Sequence, residues 1–138
     1  PTPDAEIAAT DAAALFGVTP GTTDRMIDAA LDAELPLLPG AAPATEALRV
    51  FERGFFVQKF FPAEASGGVP ALKAIGGPMP QIRFCPTGGV SLSNAPAYLG
   101  LANTICVGGS WVAPKDAVEQ HDWAKITDLA AEAARLTR

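Results

Sequence analysis

Residues 55–62 read FFVQKFFP, an apolar run with one lysine, Lys59, at its centre. A short run rich in phenylalanine with period-two alternation predicts a β-strand. The alternation divides the side chains between two faces: Phe55, Val57, Lys59 and Phe61 on one, and Phe56, Gln58 and Phe60 on the other. Two interpretations of Lys59 stay open. It is a solvated lysine at a sheet edge, or an amine surrounded by apolar groups and available as a nucleophile.

On both sides of this segment, short β-type runs alternate with alanine-rich amphipathic runs. The pattern predicts five strands, over residues 15–21, 35–40, 55–62, 81–89 and 104–111. It predicts helices over residues 3–13, 22–34, 43–53, 68–76, 93–101, with Ser93 as the cap, and 118–137. Strands separated by helices pair in parallel through right-handed crossovers.

This layout predicts a single α/β domain over residues 1–138. Two architectures fit it: part of a TIM (βα)8 barrel, or an open flavodoxin-like parallel sheet. A complete barrel rarely has fewer than about 200 residues, so 138 residues are too few to close one.

Composition and charge exclude several classes of partner. The chain is 49% hydrophobic and 18% charged, which is typical of globular domains, and its net charge of −5 argues against a nucleic-acid partner. No apolar run approaches the roughly 18 residues of a spanning helix, and no signal-peptide pattern opens the chain, so we expect a cytoplasmic protein with no membrane partner. Cys85 and Cys106 lack metal-site spacing and are predicted to be reduced core residues. We expect no metal site.

The unusual residues lie where the predicted strands end. These segments are TPG at 19–21, PG at 39–40, KFFPAE at 59–64, PTGG at 86–89 and VGGSW at 107–111. Ligands of parallel α/β folds bind at this edge of the sheet. Glu64 is a candidate proton shuttle, although a loop or capping role is favoured. His121 is expected at the surface.

Two glycine pairs stand out among these segments. Gly88-Gly89 follows a hydroxyl, Thr87, and Gly108-Gly109 precedes another, Ser110. Glycines let the backbone approach an anion closely, and N–H groups in such turns form a concave donor site. The pairs therefore indicate a phosphate site, with two ordinary strand-to-helix turns as the alternative.

Three of these segments together resemble a known family. KFFPAEASGG at 59–68, RFCPTGGVSLSNAPAYL at 83–99 and VGGSWVAP at 107–114 are similar to bacterial 2-keto-3-deoxy-6-phosphogluconate (KDPG) aldolases, a family that also has 4-hydroxy-2-oxoglutarate (KHG) aldolase activity. The resemblance implies a class I aldolase on a TIM barrel, usually a homotrimer, that needs no metal or organic cofactor. It implies cleavage of a phosphorylated keto acid to pyruvate and an aldehyde.

The resemblance also assigns roles. Lys59 corresponds to the lysine that forms the Schiff base with pyruvate, and Phe61 packs at the same site. The residues matching the family's phosphate- or carboxylate-binding segments are Thr87, Gly88, Gly89, Gly108, Gly109 and Ser110. Pro20 lies in a TPG turn that matches the family's SPG turn.

The chain departs from the family at two points. The resemblance covers only the last five βα units, and no residue matches the acid/base glutamate or the substrate-binding arginine of the first three. A preceding segment, a truncated chain or a second chain completing the barrel would each account for this. Gln58 is polar on a face that should pack against helices. The alternative function is a catalytically impaired fragment that binds phosphate or keto acids.

Overall fold

The computed structural model describes residues 13–136, so the helix predicted over residues 3–13 lies outside the described residues apart from Ala13. The described chain alternates short strands with helices, as predicted. The strands are β1 Gly17–Val18, β2 Leu37–Leu38, β3 Gly40–Ala41, β4 Val57–Phe60 and β5 Arg83–Pro86. The helices are α1 Asp24–Asp32, α2 Ala44–Glu52, α3 Gly68–Gly76, α4 Ala95–Leu99, α5 Lys115–Glu119 and α6 Trp123–Ala133, with a 3₁₀ turn at Ser110–Val112.

The strands are all parallel and lie side by side in chain order. β1 pairs with β2, and β3, β4 and β5 form a three-stranded sheet. β2 and β3 are two parts of one extended stretch interrupted at Pro39, whose carbonyl accepts a hydrogen bond from the Lys59 N–H at 2.8 Å. Beyond β5, Thr104 forms a parallel bridge with Phe84. The flavodoxin-like alternative is wrong, because that fold places its first strand between the second and third.

The core lies between this sheet and the helices. Phe60 and Phe84 are both buried, and their rings pack edge to face with centroids 6.0 Å apart. The helices contribute the buried apolar residues Ile27, Ala47, Val50, Leu72 and Tyr98. Burying each large apolar side chain contributes roughly 1.5–3 kcal/mol, so this layer holds the strands in place.

Gln58 lies on the same side of the sheet, fully buried. Its side-chain amide donates to the carbonyls of Ala47, at 2.9 Å, and Phe55, at 3.0 Å. These two bonds satisfy the nitrogen of the buried amide, although not its oxygen, and they link α2 to the residues that lead into β4. The polar residue that departs from the family pattern is therefore a structural contact between helix and strand.

The strand predicted over residues 104–111 is wrong beyond Thr104. Ile105 N–H bonds to the Phe84 carbonyl at 3.0 Å, and the next bond runs from Gly108 N–H to the Pro86 carbonyl, also at 3.0 Å. Three residue steps on this segment therefore span two on β5, which is the signature of a β-bulge. The bulge ends the regular ladder, and the 3₁₀ turn follows it.

Two helix predictions need correction. The helix predicted over 118–137 is two helices, α5 and α6, because His121 takes a φ of 55° between them. Asp122 then caps α6 by accepting from the Lys125 N–H at 3.0 Å. Asn94, not Ser93, is the residue that precedes α4, and its side-chain oxygen accepts from the Ser91 N–H at 2.7 Å. Within residues 13–136, no helix has the length and apolarity to cross a membrane.

Candidate active site

Lys59 lies in β4 with Gly40 of β3 on one side and Cys85 of β5 on the other. Exposure alternates along the strand as predicted: Gln58 and Phe60 are buried towards the helices, whereas Val57 is exposed and Lys59 is half-buried on the opposite face. Lys59 is thus near the carboxyl end of its strand, where ligands of parallel folds bind.

One phenylalanine of the run contacts the amine in the part of the chain that is described. The Lys59 Nζ lies 4.7 Å from the centroid of the Phe61 ring, a cation–π distance. Phe60 packs against Phe84 on the other face, and Phe56 packs edge to face on Phe51 at 5.3 Å. Fewer phenylalanine rings therefore surround the Lys59 amine than the sequence alone suggested.

The turn at 19–21 closes over β3 on one side of Lys59. A Cβ atom placed on Gly40 would lie 2.4 Å from the carbonyl carbon and oxygen of Pro20, so the close approach requires glycine. Thr19 is buried, and its Oγ1 accepts from the Gly40 N–H at 3.1 Å. Pro20 is thereby held against the strand residue that neighbours Lys59.

On the other side lies the first glycine loop, residues 87–89. Gly88 and Gly89 take φ values of 90° and 81°, which L side chains rarely adopt. The loop is bonded to the chain beyond β4, because Ala63 N–H donates to the Thr87 carbonyl at 2.7 Å. A Cβ on Gly88 would meet the Phe61 ring at 3.0 Å, so this loop lies against the ring that contacts Lys59.

The second glycine loop, residues 108–110, adjoins the first. A Cβ on Gly108 would lie 2.7 Å from the Thr87 Cγ2, and one on Gly109 would lie 1.9 Å from the Trp111 ring. Ser110 is exposed and begins the 3₁₀ turn. The structure thus brings the two glycine pairs together.

Two buried polar atoms beside these loops have no hydrogen-bond partner among residues 13–136. They are the Thr87 Oγ1 and the Trp111 Nε1. An unpaired buried donor or acceptor costs about 1–3 kcal/mol, so such atoms are rare and are often associated with a ligand site. Both flank glycines that the sequence assigns to anion binding.

The two cysteines differ in exposure. Cys85 is buried and Cys106 is exposed, so the prediction of a core position is wrong for Cys106, which lies in the bulged segment. A hydrogen bond with Cys106, together with burial, raises the pKa of the Cys85 thiol well above its usual range. Among residues 13–136, no group of three or more histidine, cysteine or acidic side chains could hold a metal ion.

Glu64 and His121 have different surroundings. Glu64 accepts a hydrogen bond from the hydroxyl of Tyr98, and burial followed by this bond raises the pKa of Tyr98. His121 is exposed in the turn between α5 and α6, as predicted. The sequence analysis missed Tyr98 and Trp111, because their contacts with the loops depend on the tertiary fold.

Two cavities lie outside the immediate surroundings of Lys59. One, of about 500 Å³, is lined by Lys73, Arg83 and Asn103 at the amino end of β5. Another, of about 300 Å³, is lined in part by Gly108, Gly109 and Trp111. The first contains none of the predicted site residues, so the candidate site is defined by its chemistry and not by cavity size.

Comparison with known sequences reveals a close set of relatives. A family model described as KDPG and KHG aldolase matches residues 2–129. The 2-dehydro-3-deoxy-phosphogluconate aldolase of Pseudomonas aeruginosa is 54% identical over 126 residues, covering 91% of this chain and 57% of that protein. The KHG/KDPG aldolase of Escherichia coli K12 is 48% identical over 124 residues, covering 90% and 58%. The chain thus spans less than two thirds of the length of the curated relatives it matches.

Solved structures show the same likeness. The KDPG aldolase of Legionella pneumophila, with pyruvate captured as a covalent carbinolamine intermediate, superposes with a TM-score of 0.92 at 43% identity, covering 96% of this chain and 64% of that one. The Zymomonas mobilis enzyme with 3-phosphoglycerate gives 0.90 at 41%, covering 99% and 64%. These likenesses confirm the prediction of a partial TIM barrel.

Proposed function

The chain belongs to the KDPG and KHG aldolase family, and from this we propose that its protein is a Schiff-base, class I aldolase. The proposed substrate is 2-keto-3-deoxy-6-phosphogluconate or 4-hydroxy-2-oxoglutarate. The products are pyruvate and an aldehyde, glyceraldehyde 3-phosphate or glyoxylate respectively. The proposed reaction requires no metal or organic cofactor, because the imine itself accepts the electrons of the broken bond.

The observation that carries the proposal is the position of the Lys59 amine. It lies near the carboxyl end of β4, between the Pro20–Gly40 contact and the Phe61–Gly88 contact. In the described part of the chain, Lys59 forms no ion pair with a carboxylate. An amine that is held at a ligand-binding edge without a counter-ion is available to attack a ketone.

Lys59 would act on the C2 ketone of the substrate. Its nitrogen adds to C2, and loss of water from the carbinolamine gives an iminium. A base removes the proton of the C4 hydroxyl, the C3–C4 bond breaks, and its electron pair enters the iminium to give an enamine while the aldehyde leaves. Protonation at C3 and hydrolysis then release pyruvate and restore the amine.

The two glycine loops would bind the phosphate or carboxylate end of the substrate. The Gly108 N–H already donates to Pro86, whereas the N–H groups of Gly88, Gly89 and Gly109 donate to no acceptor among the described residues. These N–H groups, with the hydroxyls of Thr87 and Ser110, form a donor set for an anion. No basic patch is required, which accords with the net charge of −5.

The proposal extends to the assembly and location of the protein. By family resemblance we propose a homotrimer of single α/β domains in the cytoplasm, acting on small molecules and not on nucleic acid or membranes. Light scattering on the purified intact protein measures the assembly. A monomer or dimer at working concentration would contradict the trimer.

Pyruvate release from each of the two keto acids tests the function in the intact protein. We expect cleavage by the wild type, and a loss of at least about 1,000-fold in Lys59→Met, because the covalent intermediate cannot form. Lys73→Met, on the exposed face of α3, is the matched control and should keep full activity. Cleavage by Lys59→Met at the wild-type rate would refute the role of Lys59. Pyruvate binding without cleavage by the wild type would instead support the binding-module alternative.

A further inference from the structure

Tyr98 connects α4 to the end of β4. It is fully buried, and its hydroxyl donates to the Oε1 of Glu64, 34 residues earlier in the chain. A buried phenol needs a hydrogen-bond partner, and here a carboxylate supplies it, so the bond is charge-assisted. The bond therefore fixes the direction of the Glu64 side chain.

Glu64 in turn contacts the first glycine loop through both its backbone and its side chain. Its N–H donates to the Gly88 carbonyl at 3.1 Å. A Cβ placed on Gly89 would lie 2.5 Å from the Glu64 Cγ and 2.7 Å from its Cβ, so the aliphatic part of Glu64 lies directly on Gly89. The Glu64 side chain, whose direction is fixed by Tyr98, therefore packs on Gly89, a residue in the left-handed conformation.

Gly68, at the start of α3, leaves the space that this arrangement needs. A Cβ there would lie 3.3 Å from the Tyr98 hydroxyl oxygen, closer than most real contacts, and 3.4 Å from the Glu64 Oε1, at the limit of ordinary van der Waals contact. Four segments therefore meet at one hydrogen bond: the end of β4, the first glycine loop, α3 and α4.

We propose that Glu64 and Tyr98 are positioning residues that hold the first glycine loop in its anion-binding conformation and so set the affinity for the phosphate group of the substrate. This inference rests on the function proposed above. It accords with the loop role favoured for Glu64 over that of a proton shuttle, because the carboxylate is engaged by Tyr98.

The position of the pair separates its effect from the chemistry at Lys59. Loosening the loop weakens the donors to the phosphate directly, whereas Lys59 is held by β4, which pairs with β3 and β5 independently of Tyr98 and Glu64. The consequence is a specificity effect. The phosphorylated keto acid, whose phosphate offers three acceptor oxygens to the loop, depends on Tyr98 more strongly than 4-hydroxy-2-oxoglutarate, which offers only the two oxygens of its carboxylate.

The test compares Tyr98→Phe with the wild-type intact protein, using 3-phosphoglycerate as a binding probe and both keto acids as substrates. Removing the hydroxyl should weaken 3-phosphoglycerate binding and raise KM for the phosphorylated acid by about 5- to 10-fold. The kcat should stay within about 2-fold, and KM for 4-hydroxy-2-oxoglutarate should rise by less than about 2-fold. Glu64→Gln keeps an acceptor oxygen and should stay within about 2-fold of wild type.

Ile82→Val is the matched control for loss of stability, because Ile82 is buried just before β5, away from the loop. It should lower the unfolding temperature and leave 3-phosphoglycerate affinity unchanged. Equal KM increases for both acids, or wild-type 3-phosphoglycerate affinity in Tyr98→Phe, would overturn the inference. A wild type that binds 3-phosphoglycerate but cleaves neither acid would refute the proposed function alone. A wild type that does not bind the probe would overturn the positioning role.

Discussion

The two glycine pairs read alike in the sequence but require glycine for different reasons. Gly88 and Gly89 both have positive φ, so their backbone conformation excludes most other residues. Gly109 has a φ of −166°, which any residue adopts, but a side chain there would overlap the Trp111 ring. The first pair is constrained by conformation as well as by space, whereas Gly109 of the second pair is constrained by space alone.

This difference explains why the two loops are supported differently. The first glycine loop is held by hydrogen bonds to the chain beyond β4 and by Glu64. The second follows a bulge, and its position depends on the packing of Trp111 against Gly109. Substitutions that relieve crowding should therefore rescue a change in the second loop more fully than a change in the first.

The largest loss of stability is expected from a substitution at Gly109. Gly109→Ala should lower the free energy of unfolding by about 2–3 kcal/mol, because the new methyl group overpacks against the Trp111 ring. In a Trp111→Ala background the same change should cost about 1–2 kcal/mol less. Urea unfolding of the four proteins in this cycle measures the coupling. Strictly additive changes would show that crowding by the Trp111 ring is not the constraint.

Gly89→Ala gives the contrasting case, with an expected loss of about 1–2 kcal/mol from the left-handed backbone. Glu64→Ala removes the contact with the new methyl group, but the backbone strain remains, so rescue should be smaller than at Gly109. In the Glu64→Ala background, Gly89→Asn should be less destabilising than Gly89→Ala, because asparagine tolerates positive φ. The same urea series measures both. Full rescue by Glu64→Ala would remove the distinction between the loops.

The hydroxyls of Thr87 and Ser110 allow the two glycine loops to be compared by their effects on substrate affinity. Thr87→Val should raise KM for the phosphorylated acid by about 10-fold without loss of stability, because the buried Thr87 Oγ1 has no protein partner to lose. Ser110→Ala should raise KM by only about 3-fold, because its hydroxyl is exposed. Steady-state kinetics and thermal unfolding test the pair. The reverse order of KM effects would contradict the assignment.

The smallest expected effect is a loss of stability at alkaline pH, caused by Tyr98 beside the first glycine loop. The pKa of Tyr98 is raised, so the folded state holds this proton more tightly than the unfolded state does. Its contribution to stability is complete below the ordinary tyrosine pKa, about 10, and is lost as the pH rises above it. Wild type should therefore lose stability above about pH 10, and Tyr98→Phe should lack this component. Parallel pH profiles for the two proteins would argue against the raised pKa.

Much of the fold followed from local pattern. The helix predicted over 68–76 has the observed limits, and the alternation in 55–62 placed Gln58 and Lys59 on the correct faces. Prediction failed at the segment after Thr104, because a bulge depends on register with the neighbouring strand. The end of β4 was also placed two residues too late.

The candidate site was likewise predictable only where its residues are locally unusual in the sequence. Lys59 and the glycine loops stand out in the sequence because lysine among phenylalanines and paired glycines are locally unusual. The hydrogen bond between Tyr98 and Glu64 joins residues 34 apart, and the contact of Trp111 with Gly109 reflects crowding in three dimensions. The signal that could have found the Tyr98–Glu64 bond was Gly68, whose missing side chain leaves room for both residues.

Borohydride trapping is the most direct measurement of the central claim, that Lys59 is the Schiff-base nucleophile. The intact protein is incubated with pyruvate, reduced, digested and analysed by peptide mass. We predict one stable pyruvate adduct, on the peptide that contains Lys59, with none in Lys59→Met and an unchanged yield in Lys73→Met. An adduct on another lysine, or none on the folded wild-type protein, would contradict the account.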